Sequence, residues 1–298
     1  MSVLAVVDVI FLSKDRMKNI FLNLFKAIKN KKVLIPVLLL LLLVIFIPVW
    51  AFFIEPNLLK VTYLSIKDPD LKGLRVAYIS DFHACQNDEA YILKIIKTVN
   101  EHEPDLILLG GDYIVVKIFR NKSMEPERIA TLLKGLKAKH GIYMIMGNHE
   151  LHVSAFKRIA ECLRNSNIKI LQNNNTKIII NDKSVYIVGV GDISNKRHNI
   201  KKAFKNVEKP AIVFTHSPNV FPLLPDYVNI TFAGHTHGGQ VYVPGYGPLG
   251  KPTHYNGIYL KGFYESNGKT MFVSSGIGNS HLKVRFFNIP EIVIADFK

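Results

Sequence analysis

Seven side chains able to bind a cation stand out because each closely follows a short apolar run. They are Asp81, His83, Asp112, Asn148, His216, His235 and His237, and the runs before them are 75–80, 105–109, 142–146, 211–215 and 229–233. The donors are carboxylate or carbonyl oxygens and imidazole nitrogens without a thiolate, a set that suits Mn, Fe or Zn rather than a closed cysteine-rich structural site. Seven ligands are too many for one ion. With one carboxylate shared, they give each of two divalent ions four protein ligands and leave positions open for water and substrate. Asp112 is the natural bridge.

The runs are rich in Val, Ile, Leu, Tyr and Phe, which reads as buried strands. The ligand residues therefore fall just past the strands' carboxyl ends, the edge where loops of an open α/β sheet converge on ligands. Helical periodicity is read at 88–101, 126–138 and 153–164, and further strands at 176–180, 184–190, 270–275 and 291–296. The asparagine-rich stretch 173–183 reads as a turn, and the Gly- and Pro-bearing stretch 244–257 as a long loop that walls a substrate pocket.

In order along the chain stand Asp81-Phe82-His83, Gly110-Gly111-Asp112, Gly147-Asn148-His149-Glu150, the lone His216 after a strand, and Gly234-His235-Thr236-His237. This succession closely resembles the five blocks of the calcineurin-like metallophosphoesterases. Five short matches in order are far more specific than any one of them. The resemblance narrows to the membrane-anchored branch called YkuE-like or YaeI-like through Glu55-Pro56, the stretch Leu71 to Asp81, Gly234 to Gln240, Ser275 to Gly278, Arg285 to Asn288, and Pro290-Glu291.

That resemblance implies an α/β fold, a β-sandwich flanked by helices in four layers, α/β/β/α. It implies that Asp81, His83, Asp112 and His237 hold one metal and Asp112, Asn148, His216 and His235 the other, with His149 free of metal and beside the phosphoryl group as a catalytic acid or charge stabiliser. The implied reaction is hydrolysis of a phosphoric ester or anhydride by a water that two cations turn into hydroxide. No Walker lysine pattern and no serine nucleophile elbow is present. The chain departs from the family where Asp112 is followed by Tyr113, Ile114, Val115 and Val116 rather than by an early acidic residue or Asn. It departs again where Lys283 replaces a frequent Pro. Neither change touches a ligand.

Residues 33–54 carry no charge and are long enough to cross a hydrocarbon core, with Pro36 and Pro48 near the ends and Trp50 suited to an interface. The expected organisation is a basic segment 1–32, an anchor 33–54 and a metallophosphoesterase domain 55–298. A cleaved signal peptide is the competing reading, but the run is long for one and lacks an obvious cleavage site. Lys14, Arg16, Lys18, Lys26, Lys29, Lys31 and Lys32 precede the span against Asp8 and Asp15, so the positive-inside rule puts the amino terminus in the cytoplasm and the catalytic domain outside. An interfacial helix over 19–28 would instead give attachment at the cytoplasmic face.

An anchor favours a lipid-linked ester or pyrophosphate over a freely diffusing phosphorylated small molecule, since tethering concentrates the enzyme on substrates of the same membrane. Some anchored relatives act as UDP-2,3-diacylglucosamine pyrophosphatases of lipid A synthesis on a cytoplasmic substrate, a reading that an external domain disfavours. A non-catalytic metal-binding scaffold is the other alternative, and decay of that kind would erode His149 first. The net charge of +15 comes from dispersed lysines with no nucleic-acid motif, so a solvated basic exterior is expected and no nucleic-acid partner. Cys85 and Cys162 make no disulfide framework, and although Cys85 is near enough in sequence to approach the metals, both read as packed thiols. No chemistry is assigned to His102, His140, His152, His198, His254 or His281, although His152 and His254 could line the cleft. Asp88, Asp105 and Asp192 read as helix cap, strand entry and turn.

Overall fold

The computed structural model describes residues 30–115, 122–152, 155–180, 182–249, 259–280 and 282–298, with 16, 18, 19 and 22 in the leader. His254, His281, most of the 19–28 segment and residues 250–257 of the 244–257 loop lie outside the described residues, as does the side chain of His152. The chain divides into two units, Met1–Trp50 and Ala51–Lys298.

In the first unit, helix α1 (Lys31–Val49) starts at Asn30, whose side chain accepts the Lys32 N–H at 3.0 Å. None of its residues is buried. Pro48 can give no N–H to the turn before it, and the helical run widens into a π turn at Trp50–Ile54 before a 3₁₀ turn at Glu55–Asn57. The whole run Lys31–Asn57 is long and apolar enough to cross a membrane.

Strands of the second unit are β1 (Lys60–Ile66), β2 (Arg75–Ile79), β3 (Leu106–Leu109), β4 (Ile142–Met144), β5 (Ile168–Ile170), β6 (Asn174–Ile180) and β7 (Lys183–Val190). They continue with β8 (Ala211–Thr215), β9 (Ile230–Ala233), β10 (Tyr242–Val243), β11 (Gly247–Pro248), β12 (Gly262–Ser266), β13 (Lys269–Val273) and β14 (Glu291–Phe297). Helices are α2 (Glu89–Glu101), α3 (Pro126–Leu133), α4 (Asn148–His152), α5 (Ala155–Leu163) and α6 (Ile200–Ala203). Among the described residues these make two six-stranded sheets, ordered β1-β14-β2-β3-β4-β5 and β12-β13-β9-β8-β7-β6, besides the β10–β11 pair.

Alternation along the strands builds the layers. Val76, Tyr78, Leu106 and Leu108 of the first sheet meet Ile212, Phe214, Ile230 and Phe232 of the second in one core, with Tyr78 stacked on Phe232 at 5.5 Å. Ala77, Ile79, Ile107 and Leu109 point the other way, onto Ile92, Ile95 and Val99 of α2 and Ile129 of α3. Val188, Val213 and Val273 do the same on the far side, against Ala203 of α6 and the 3₁₀ turn Pro218–Leu223. The expected α/β/β/α order holds.

Two local readings need correction. Residues 174–180 form strand β6, in keeping with the strand read at 176–180, so the turn expected over 173–183 reduces to Asn173 before the strand and the hairpin tip around Asp182, where φ is +62°. Asn173, in the short turn before β6 and also left-handed, accepts the Gly191 and Asn199 N–H groups on its side-chain oxygen. The 126–138 helix stops at Leu133, and turn hydrogen bonds from Lys134, Gly135 and Leu136 take over.

Candidate metal centre

All seven candidate ligands follow parallel strands at one end of the two sheets. Asp81 and His83 come after β2, Asp112 after β3, Asn148 at the start of α4 after β4, His216 after β8, and His235 and His237 after β9. Cross-sheet hydrogen bonds lock the loops together. The His235 N–H donates to both Asp81 oxygens at 3.0 and 2.9 Å, and the His216 Nδ1 lies 2.9 Å from the Gly110 carbonyl.

Five of the seven, Asp81, His83, Asp112, His235 and His237, have left-handed backbone with φ between +44° and +70°. Such geometry costs roughly 1–3 kcal/mol per non-glycine residue and persists only where the surroundings fix it. Close packing is part of that fixation. A Cβ on Gly147 would stand 2.1 Å from Asp112 Oδ1, and one on Gly234 would stand 2.4 Å from Asp81 Oδ2.

The donor atoms converge. Asp112 Oδ2 lies 3.3 Å from His216 Nε2, 3.5 Å from His83 Nε2 and 3.9 Å from His149 Nε2. His83 and His237 face each other Nε2 to Nε2 at 2.9 Å, His235 Nδ1 is 2.8 Å from His216 Nε2, and that same Nε2 is 3.0 Å from Asn148 Oδ1. Asp81 Oδ1 is 3.6 Å from His237 Nε2. Three sets, Asp81 with His83 and His237, His83 with Asp112 and His149, and Asp112 with His216 and His235, each have ligand atoms within 4.8 Å of one another.

Charge in the pocket is frustrated. Burial lifts the Asp81 carboxyl to about 6, with Asp112 adding to the rise, and burial together with His216 lowers His235 to about 3. Burial also holds His83 and His237 well below the usual imidazole range. On His216 burial works against the charged form, yet the adjacent Asp112 outweighs it and lifts the ring to about 10. For Asp112 burial is likewise opposed and overcome, here by His216 and His149, so its carboxyl lies well below the ordinary range. His83, His235 and His237, held neutral, direct ring nitrogens at one another or at His216 around two carboxylates and so present lone pairs to the space between them. A pair of divalent cations relieves that arrangement, since each ion takes up lone pairs that the facing rings cannot give to one another.

A second layer positions these groups. The Glu150 carboxylate accepts the backbone N–H groups of Asp112, Tyr113, Ile114 and Gly147 at 2.7 to 3.2 Å, clamping the loop after β3 to the start of α4. Burial, then Asp112, pushes its pKa up to about 7 while those donors pull it down. Behind His237, the Asn288 amide donates to the His237 carbonyl, and Glu55 accepts the Phe287 and Asn288 N–H groups. The fully buried Arg285 donates to the Ser275, Gly278 and Asn288 carbonyls and lies 3.4 Å from His237 Nδ1. Glu291 ties the 274–276 loop to β1, accepting from Ser275 and Thr62 and pairing with Lys60 at 3.3 Å. In the sequence these residues carried only a family signature or part of a block, without a role. For Glu55, Arg285 and Glu291 the signal was a charged residue beside apolar neighbours.

The remaining assignments resolve simply. Asp88 precedes α2 and accepts the Cys85 N–H, Asp105 accepts the Arg75 N–H, and Asp192 organises the turn at Ser194 and Asn195. The half-buried Cys85 thiol is pushed up to about 11 by burial and Asp88, and it belongs to none of the three ligand sets.

Residues 74–239, more than half of the chain, match the calcineurin-like phosphoesterase family model. The chain belongs to that family. It is 27% identical to the metallophosphoesterase YkuE of Bacillus subtilis over 84% of this chain and 89% of that one. It is 28% identical to the UDP-2,3-diacylglucosamine pyrophosphatase LpxG of Chlamydia muridarum, over 83% and 91% of the two chains. Among solved structures it is similar to TT1561 of Thermus thermophilus, with TM-score 0.45 and 11% identity over 69% of this chain and 91% of that one. Family membership and the clustered donors make the chain a metal-dependent hydrolase of phosphoric esters or anhydrides.

Proposed function

We propose that the chain is a membrane-tethered phosphohydrolase with two divalent cations, acting on a lipid-linked ester or pyrophosphate. Asp81, His83, Asp112 and His237 would hold one ion, and Asp112, Asn148, His216 and His235 the other. The observation that carries this reading is the position of Asp112 Oδ2 amid the His216, His83 and His149 nitrogens at 3.3, 3.5 and 3.9 Å. When bound, Mn, Fe or Zn in such a site polarises phosphoryl oxygens and supplies a nucleophilic water at neutral pH.

His149 is assigned the proton. Distance alone does not separate it from the ligands, since it shares a set with His83 and Asp112. Its backbone N–H donates to Asp112 Oδ1 at 3.0 Å, so the same carboxylate that would bridge the ions also sets where the imidazole stands. From there its Nε2 can give a proton to a leaving oxygen or steady charge on the phosphoryl group. The purified full chain should hydrolyse an activated aryl phosphate after loading with Mn, Fe or Zn and lose that activity on chelation. Failure to take up metal, or turnover indifferent to a chelator, would overturn the reading.

The run Lys31–Asn57 supports tethering, and the basic residues before it support an external catalytic domain. A second reading, a nucleotide-lipid pyrophosphatase on the cytoplasmic face, is favoured by the likeness to LpxG. A reporter fused after residue 298 separates the two. Alkaline phosphatase activity outside the cell is expected, whereas fluorescence from a cytoplasm-only reporter would favour the LpxG-like reaction.

A further inference from the structure

The last turns of the apolar run are built into the catalytic unit, and a second segment runs alongside them. The Arg285 N–H donates to the Ala51 carbonyl at 2.9 Å, and the Phe287 and Asn288 N–H groups donate to the Glu55 carboxylate. Glu55 is itself buried, so its charge faces protein. What the two segments leave outside is apolar. Phe53 is 71% exposed and Phe287 59%. Phe52 and Leu282 are exposed as well, and Leu282 lines the same cavity as Pro56 and Asn57 at the end of the run.

Single exposed apolar side chains such as Ile179 or Phe263 need no explanation. This group differs in two respects. Phe52 and Phe53 belong to the run Lys31–Asn57, which is long and apolar enough to cross a membrane, so the group continues a surface suited to lipid. Phe287 also has φ of +52°, a left-handed backbone that a bulky side chain rarely adopts. The Glu55 carboxylate holds that turn, yet the ring it presents touches Phe286 at 4.7 Å and stays mostly outside the fold. Strain kept for an exposed aromatic points to something the ring meets beyond the chain. The exposed Lys283, next to Leu282, adds a cation suited to lipid phosphates.

We infer that Phe52, Phe53, Leu282 and Phe287 form a docking face that seats in the headgroup layer of the bilayer spanned by the chain's own apolar run. The catalytic unit then lies on the lipid instead of swinging from a tether. The inference rests on the tethered reading above and adds the unit's orientation. Asn288 directly follows Phe287 and donates to the His237 carbonyl, so a docked face brings the metal centre to the surface where a lipid-linked ester presents its phosphoryl group.

The chain contains one tryptophan, Trp50, which makes lipid contact readable by fluorescence. In vesicles of phosphatidylcholine brominated along its acyl chains, the wild-type emission reports whether the run is inserted. In a Trp50→Phe background, Phe287→Trp and Leu282→Trp should each lose most of their emission. Shallow bromine should quench them more than deep bromine, as fits burial about 5–10 Å into the headgroup and acyl boundary. Ile179→Trp is the control, since Ile179 pairs with Ser184 at the start of β7, the end of the sheet away from the ligands, and it should keep its emission. Two reporters cover the case in which one variant does not fold, checked by circular dichroism. A folded reporter quenched no more than Ile179→Trp overturns the docking face, and if Trp50 is still quenched the tether stands. Unquenched Trp50 removes the tether and the docking together. Reporter emission that ignores bromine but shifts with the protein-to-lipid ratio would assign the face to a second copy of the chain and overturn lipid docking.

Discussion

Replacing Asp112 with asparagine should lower phosphoester hydrolysis by at least about a thousandfold, equivalent to about 4 kcal/mol of transition-state stabilisation. The protein should also retain less than the wild-type amount of metal. Asp112 Oδ2 is the atom on which three imidazoles converge, and an amide in its place either turns an N–H group toward them or leaves one neutral oxygen where a shared anion stood. Asp112 Oδ1 accepts the His149 N–H, so the substitution also loosens the residue assigned to proton transfer. Elemental analysis and activity measured on the same preparation check this, with circular dichroism to establish folding. Undiminished turnover at full metal content would remove Asp112 from the centre.

The local backbone gives a reason for the centre's sensitivity. Five candidate ligands sit at positive φ, a cost of roughly 1–3 kcal/mol each. Those residues stay in place because neighbouring loops leave them no alternative: His235 N–H on Asp81, Glu150 beneath Asp112, Asn288 on the His237 carbonyl. The left-handed residues stand where the chain leaves the ends of β2, β3 and β9. Strain, closely packed glycines and buried counter-charges thus act together at these three strand ends to gather the donors.

Much of this was legible because the chemistry follows the strands in chain order. Apolar runs such as Leu106 to Leu109 and Ala211 to Thr215 mark buried strands, and the donors directly after them mark the functional edge. The sheet edges were not legible. Strand β1 buries only Leu64 and strand β12 buries none of its residues, so neither carries the hydrophobic alternation of a half-buried strand. Nor does any periodicity show that β14, the carboxyl-terminal strand, inserts between β1 and β2, parallel to one and antiparallel to the other. The second layer was hidden for a different reason. Glu55, Glu150 and Arg285 look like ordinary charged residues until burial turns their hydrogen bonds into constraints.

Arg285 is where those constraints are most concentrated, and Arg285→Ala should destabilise the protein by about 4 kcal/mol or more. For a domain of this size that is a fall in thermal midpoint of roughly 8–16 °C. The guanidinium is fully buried, and burial lowers its pKa to about 10. It is held mainly by the Ser275, Gly278 and Asn288 carbonyls, which alanine would leave as buried acceptors beside a void. Because Arg285 also touches His237, and Asn288 holds the His237 carbonyl, the variant should bind metal about 10–100-fold more weakly even below its melting point. Arg285→Lys retains the charge but not the planar fork, so it should fall between wild type and alanine in both measurements. Glu55→Gln provides the comparison that separates bulk stability from positioning. Its amide can accept only one of the Phe287 and Asn288 N–H groups cleanly, so it should weaken metal binding with a smaller loss of thermal midpoint. Scanning calorimetry and metal titration of the full chain distinguish the two effects. A variant pair whose metal affinity falls only in step with the thermal midpoint would reduce the Arg285, Asn288 and Glu55 network to scaffolding, because a network that orients His237 must alter the ion's affinity by more than it alters the fold.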